Sequence, residues 1–339
     1  MKKTVGCIAR WIAGIVCALT FGGISACNIV SNEIQVYAPD GAPALAIANL
    51  LQKDTADDGV AYTVVNASTI NAYVTGQEPK ADVCILPLNT ASTLLGRGET
   101  YALCGVVTHG NLYMLSTQDV VYTRENLSLL IGKTVGVVQL INVPGLTFKI
   151  ILNELGLPWT ELKNDATPLE NCINLMAVSP EAVSPAMSGI DVFVAPEPAA
   201  SVKVEKTALQ FVGNLQTLYN ENGGYPQAVL VVKKSLIESN RSWVENFVND
   251  VQQNATQLLN CSQPQQIEDV CQAVQSHLTE GLAPTLTSKN LTATAIVNSG
   301  IRYQSALSYK AEITTFLQKM QSVQPTAAAI PSDEFYYKG

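Results

Sequence analysis

Short apolar runs alternate with amphipathic stretches along the first two thirds of the chain. "IQVY" from residue 34 precedes an apolar-periodic stretch at 43–52, "VAYTVVNA" precedes one at 68–76, and "ADVCILP" precedes one at 90–96 before "YALCGVVTHG". Strands alternating with helices of about ten residues predict a parallel sheet with crossover helices. The pattern then restarts. "KTVGVVQL" reads as a strand, and 144–155 as a helix with Pro144 in its first turn and Gly156 as its stop. "IDVFVAP" follows as another strand. From about residue 239 the pattern changes: "NRSWVENFVNDVQQNATQLLN" sets Trp243, Phe247, Val251, Leu258 and Leu259 at helical spacing opposite an Asn/Gln face. Further helices are predicted at 264–278 and 302–320, and "PTAAAIPSDEFYYKG" reads as an extended tail.

Two stretches read almost alike, "ADVCILPLNTAS" at 81–92 and "IDVFVAPEPAAS" at 190–201. Each runs Asp-Val, three mostly apolar residues, Pro, three variable residues and Ala-Ser. A second echo keeps the same order: 34–43 and 135–144 each lead from a strand start to a helix-opening proline, Pro43 and Pro144. A chance match of short apolar strands competes with this reading, and the second echo weighs against it. The expected fold is α/β, with two similar lobes, each a mostly parallel sheet flanked by helices. A cleft lies between them and the C-terminal third is helical. A chain of 339 residues suits that organisation.

The first 26 residues stand apart. Lys2, Lys3 and Arg10 precede an uncharged run that ends Ile24-Ser25-Ala26-Cys27. A positive start, an apolar middle and small residues before a break describe a secretory signal. The break directly before a cysteine resembles the bacterial lipobox, which implies that Cys27 becomes the first mature residue and carries lipid. The competing reading is an uncleaved anchor helix; the run is short for a span of about 20 residues, and its small-residue end favours cleavage. Either way the protein is expected on the outer face of the cytoplasmic membrane. The expected boundaries are a leader at 1–26, a tether at 27–32, a first lobe from 33–110 and 236–339, and a second lobe from 111–235.

Charge and cysteine content then narrow the chemistry. Acidic residues outnumber basic ones, 28 to 20, and no stretch is basic enough for a nucleic-acid footprint, so nucleic acid is excluded as a partner. Cys84 and Cys104 lie in apolar strand runs and read as buried free thiols. Cys261 and Cys271 bracket a short loop and either pair or stay free. With no Cys-x-x-Cys and no histidine cluster, a metal site or other cofactor has no support.

In an open α/β sheet, ligands bind outside the carboxyl ends of the strands, where helix N-termini present unpaired N–H groups. Four loops fit: 38–43, 86–90, 140–147 and 195–201. Asp40 and Glu197 are their only carboxylates. Each is either a partner of a helix dipole or a ligand contact. Asp82 and Asp191 begin strands at the far end and read as structural, bonding neighbouring backbone. His109 follows an apolar strand where a lobe-to-lobe crossing is expected, as a ligand contact, a hinge residue or a core residue. No nucleophile-elbow, phosphate-loop or dinucleotide-binding motif occurs.

The ordered set "DGAPALAIANL", "ADVCILPLNTASTLL", "VVTHGNLYML", "IGKTVGVVQLINVPGLTFKIILNELGL", "IDVFVAPEPAASV", "YPQAVLVVKKSLIESNRSWVENFV" and "IPSDEFYYKG" resembles the solute-binding proteins of ABC importers. The class is the type II bilobed one, and the branch is related to nitrate, sulfonate, taurine and thiamine-precursor binders. The resemblance implies a monomeric receptor, held to the membrane by lipid on Cys27. It closes on a small solute and delivers it to a permease and its ATPase, with no enzymatic role. The ligand contacts it implies are Asp40, Gly41, Ala42, Asn89, Thr90, Asn142, Val143, Pro144, Gly145, Glu197 and Pro198, with His109 at the crossing. Many relatives read Gly-Pro-Thr where this chain has Gly41-Ala42-Pro43, and none of the four loops carries Arg or Lys. The first removes a hydroxyl from the loop and the second counts against a strongly anionic solute, although backbone N–H groups alone can hold an oxyanion. Two other readings stand beside this one: an enzyme on the same fold using Asp40, Glu197 or His109 as acid or base, and a surface sensor without an importer.

Overall fold

Twelve strands carry the fold in a computed structural model that describes residues 33–54, 59–163, 166–221 and 223–339. The leader and Cys27 lie outside the described residues. The strands are β1 (Ile34–Pro39), β2 (Val60–Val65), β3 (Val83–Pro87), β4 (Tyr101–Thr108), β5 (Leu112–Ser116) and β6 (Thr134–Val138). They continue as β7 (Trp159–Glu161), β8 (Ile173–Val178), β9 (Val192–Pro196), β10 (Gln210–Asn214), β11 (Ala228–Lys233) and β12 (Ile301–Ser305). One sheet runs β12-β4-β11-β3-β1-β2 and the other β10-β5-β9-β6-β8-β7.

The two sheets share one plan. β1 pairs in parallel with β2 and β3, and β6 pairs in parallel with β8 and β9. In each sheet one antiparallel strand is inserted by the segment that has just crossed from the other. β5 lies between β9 and β10, and β11 between β3 and β4. The repeated phrase fills matching places. Asp82 Oδ2 accepts from the Gln35 backbone N–H at 2.9 Å, and the Asp82 N–H donates to the Gln35 carbonyl at 2.9 Å. Asp191 repeats this with Thr134, at 2.8 and 2.9 Å. The duplicated aspartates therefore clamp β3 to β1 and β9 to β6, as local side-chain-to-backbone bonding suggested.

Some elements differ from the sequence expectation. β11 belongs to the first sheet, so the return crossing falls between 215 and 227 rather than at the expected 235/236 boundary. Its apolar run is buried between β3 and β4, while the composition does not change until the polar helix after it. The helix expected at 43–52 breaks at Ile47 (φ −126°, ψ 16°) into Ala42–Leu45 and Ala48–Lys53. The one expected at 68–76 is a 3-10 turn, Ile70–Tyr73. The helix expected at 302–320 splits, because 301–305 pairs with β4 as an edge strand before the helix Lys310–Val323 begins. The five cysteines of the described residues are free, so Cys261 and Cys271 do not pair.

Two cores sandwich the first sheet. On one face the helix Arg241–Leu259 buries Val244, Phe247, Val251 and Leu258, while Leu259 faces solvent. On the other face the helix Lys310–Val323 buries Ile313, Phe316, Leu317 and Met320 in a core that continues into the second sheet through Tyr225. Burying one such side chain stabilises by roughly 1.5–3 kcal/mol. The same helix is tied to the second lobe by Lys319, which pairs with Glu154 at 2.6 Å. The C-terminal third thus packs on both lobes.

Candidate functional site

The four loops named from the sequence leave the carboxyl ends of β1, β3, β6 and β9. Pro43 and Pro144 each fall in the first turn of the following helix, where a missing N–H costs nothing. Gly41 (φ 98°) adopts a backbone conformation that L side chains rarely take, although a Cβ there would meet nothing within 4 Å. Gly145 is required for space instead: a Cβ would lie 1.8 Å from the Leu140 carbonyl oxygen. The loop before it turns on Gln139, whose carbonyl accepts from Asn142 N at 3.0 Å and Gly145 N at 3.4 Å. The Asn142 side chain caps nothing and is exposed, and Val143 and Pro144 are buried.

The polar candidates are already engaged by the chain itself. Asp40 Oδ1 accepts from Gly41 N at 2.8 Å and Oδ2 from Thr285 N at 2.6 Å. Asn89 is buried and donates through Nδ2 to the Ala327 carbonyl at 3.3 Å, whereas Thr90 beside it is half-buried. Glu197 is only 2% exposed. Its Oε2 accepts from Ser201 N at 2.9 Å, and its Oε1 accepts from Ser201 Oγ at 2.8 Å and Asn298 Nδ2 at 3.2 Å. Burial pushes the Glu197 carboxyl above the usual carboxylate range, and the donors from Ser201 and Asn298 oppose that shift.

His109 packs its ring 5.4 Å from that of Tyr309, and its backbone N–H donates to the Gly300 carbonyl at 2.9 Å. Burial lowers its pKa to about 3; the Arg302 charge adds to the shift and the Arg302 backbone pulls weakly the other way. The imidazole is therefore neutral near neutral pH. Thr285, Asn298, Gly300, Tyr309 and Ala327 all come from the C-terminal third, which reaches every one of these candidates.

Two of the four loops are joined through the crossings. The Leu88 N–H donates to the Gln227 carbonyl at 2.9 Å, and Gln227 Nε2 donates to Asn111 Oδ1 at 2.9 Å. Asn111 Nδ2 donates to the Glu197 carbonyl at 3.0 Å, while Glu197 N donates to the Asn111 carbonyl at 2.8 Å. A continuous hydrogen-bonded path thus leads from the end of β3 to the end of β9, linking the two copies of the repeated phrase. Sequence reasoning missed Asn111 and Gln227. Both are amides beside long apolar runs, and that was the only local signal. Asp40 is held by the 285 segment, and Asn142 stands apart on its own loop.

Buried polar atoms without a protein partner of hydrogen-bonding geometry occur at these loops and crossings. They include Asn89 Oδ1, both His109 ring nitrogens, Thr147 Oγ1, Gln216 Nε2 and Gln227 Oε1. Thr147 stands close enough to Tyr225 to influence its hydroxyl. A cavity of about 500 Å³ lies elsewhere, against β10, walled by Tyr113, Tyr122, Phe211 and Leu218 with Arg124 at its side. It adjoins the fourth loop through Tyr113, which pairs with Ala195, and through Asn298, which bonds Glu197. Among the described residues, no three His, Cys, Asp or Glu side chains are grouped to hold a metal ion.

No protein-family model matches the chain, and no curated protein matches it. Solved structures do. An ABC transporter from Parabacteroides distasonis superposes with a TM-score of 0.67 at 17% identity, covering 91% of this chain and 99% of that one. The periplasmic aliphatic sulphonate binding protein SsuA from Escherichia coli gives 0.59 at 11% identity, covering 91% and 94%. The zinc-bound ligand binding component of an ABC-type import system from Staphylococcus aureus gives 0.57 at 11% identity, covering 90% and 96%. The two-lobed α/β fold implied by the sequence resemblance is the fold of this chain.

Proposed function

We propose that this chain is the extracytoplasmic solute-binding receptor of an ABC importer, exported and held at the membrane through lipid on Cys27. The observation that carries the proposal is the matched pair of sheets, joined at the crossings by the path from Leu88 through Gln227 and Asn111 to Glu197. That construction ties one of the four loops from each lobe to a common junction. Likeness over the full length of importer components supports the same reading.

In this reading the loop residues divide into two groups. Gly41, Ala42, Thr90, Asn142, Val143, Pro144, Gly145 and Pro198 present backbone and side chains to the solute. Asp40, Asn89, His109 and Glu197 hold the loops in place. Acid–base catalysis by Asp40 or Glu197 would need a carboxylate free to exchange protons with a ligand, and both are held by the chain's own donors, while the buried His109 ring packs on Tyr309.

A melting-temperature screen of the purified protein against small organic solutes tests the proposal. A bound solute at about 100 times its Kd stabilises the fold by roughly 2.7 kcal/mol. A flat profile across every solute class would sink the receptor reading.

A further inference from the structure

We infer that the solute is uncharged, because the four loops carry no cationic side chain, both of their carboxylates are engaged by the chain's own donors, and a leading N–H at three of the helix starts is already given to the chain itself. This rests on the receptor reading above and concerns the same four loops.

An anion would be drawn to helix N-termini. At the helix Ala199–Lys206, however, the Ser201 N–H and hydroxyl are given to the Glu197 carboxylate. At the helix Val143–Glu154, Pro144 has no N–H and Gly145 N turns to the Gln139 carbonyl. At the helix Leu88–Leu95, the first N–H is given to Gln227. The fixed charges of the loops, Asp40 and Glu197, are negative, and no Lys or Arg in the four loops offsets them. Lys149 follows shortly after the third loop, but its ammonium is buried against Glu161 at 2.6 Å and the Leu140 carbonyl at 3.3 Å. The Arg302 side chain donates to the Gly223 carbonyl at 3.3 Å, at the return crossing.

A cation fares no better. Glu197 already accepts three hydrogen bonds from the chain's own donors and is buried, and Asp40 accepts two, so an incoming ammonium would share carboxylates whose charge is already partly met. Bringing a cation to the buried Glu197 would also cost its desolvation. What the loops still offer is the exposed Asn142 amide and the half-buried Thr90 hydroxyl, beside the buried apolar residues Ala42, Val143 and Pro198. That set suits a small polar molecule without net charge.

The test melts the full chain in mild detergent against three arms. The first holds nitrate, sulfate and methanesulfonate; the second putrescine and choline; the third uracil, uridine, ribose, myo-inositol and nicotinamide. The expected result is a rise in Tm within the third arm only. Calorimetric titration of that hit should give a Kd unchanged within about twofold as NaCl is raised to about 0.5 M, since screening acts on charges. A rise confined to a charged arm, or a Kd that weakens steeply with salt, overturns the inference and leaves the receptor reading standing. No rise in any arm removes the receptor reading, and the inference falls with it.

Discussion

Asn298 joins the two lobes at Glu197: its Nδ2 donates to Glu197 Oε1 at 3.2 Å, and its carbonyl accepts from the Tyr113 hydroxyl at 3.3 Å. Glu197 and Tyr113 belong to the second lobe. Asn298 ends the helix Ala293–Asn298, just before β12 of the first sheet. One residue of the C-terminal third therefore reaches both a loop of the proposed site and a wall of the β10 cavity.

Removing that side chain should loosen the junction. Asn298→Ala takes one donor from a buried carboxylate that keeps its bonds to Ser201, an expected loss of about 1.5 kcal/mol. Urea unfolding measures the loss, and small-angle scattering should show a larger radius of gyration if the contact restrains the lobes. Asn298→Asp should cost more at neutral pH than at pH 4, because it sets a second carboxylate against Glu197.

Glu197 and His109 should act on stability in opposite pH directions. The folded His109 pKa is about 3 against an ordinary 6.5, so between those values the unfolded chain binds the proton and the native one does not. The stability this contributes is present above pH 6.5 and is lost as pH falls toward 3, at no more than about 1.4 kcal/mol per pH unit. His109→Phe, which keeps an aromatic ring against Tyr309, should flatten stability measured between pH 7 and 4.5. An unchanged slope would mean that His109 takes up its proton in the native state.

For Glu197 the sign reverses. Its folded pKa is raised by burial, so the native state favours the protonated form, and stability is lost as pH rises from 4.5 through the raised value. Glu197→Gln should therefore compare best with the parent protein at neutral pH, and its relative stability should decline as the pH is lowered toward 4.5. Melting temperatures of both proteins across that range check this.

The scaffold was legible because it repeats. Asp82 and Asp191, Pro43 and Pro144, and the strand-helix alternation each serve one local purpose twice, and a local purpose leaves a local pattern. The site was legible only as loops. Which polar side chains remain free depends on Thr285, Asn298, Tyr309 and Ala327, far along the chain, and no spacing rule connects Asn89 to Ala327. β11 was assigned to the wrong lobe for the same reason, since its partners β3 and β4 are remote in sequence.

Two glycines packed at the crossings should tolerate nothing larger, and a third outside them serves as the control. Gly300 (φ 64°) would place a Cβ 2.0 Å from the Gly110 carbonyl oxygen, and Gly224 (φ 71°) one 2.3 Å from that of His109. Gly156 has a similar φ of 65° but open space around it. Gly156→Ala should thus cost only the conformational penalty, about 1 kcal/mol. Gly300→Ala and Gly224→Ala should each exceed about 3 kcal/mol, since backbone must move as well. Melting curves of the three variants separate the two contributions, and equal losses would mean that the crossings yield easily.

The pair formed by Lys149 and Glu161 should respond unequally to loss of either partner. Lys149 lies in the helix Val143–Glu154 with its side chain 1% exposed, whereas that of Glu161, on β7, is 46% exposed. The ammonium also donates to the Leu140 carbonyl and lies 5.5 Å from the Trp159 ring centroid. Lys149→Met removes the buried charge, keeps most of the side-chain volume and leaves a carboxylate that water can solvate, so stability should change by less than about 1 kcal/mol. Glu161→Ala leaves the ammonium buried with only a carbonyl and a ring face for company, which should cost about 2 kcal/mol. The double variant should recover most of that loss. A double-mutant cycle in urea tests the asymmetry, and equal single losses would show that the ammonium finds solvent once its partner is gone.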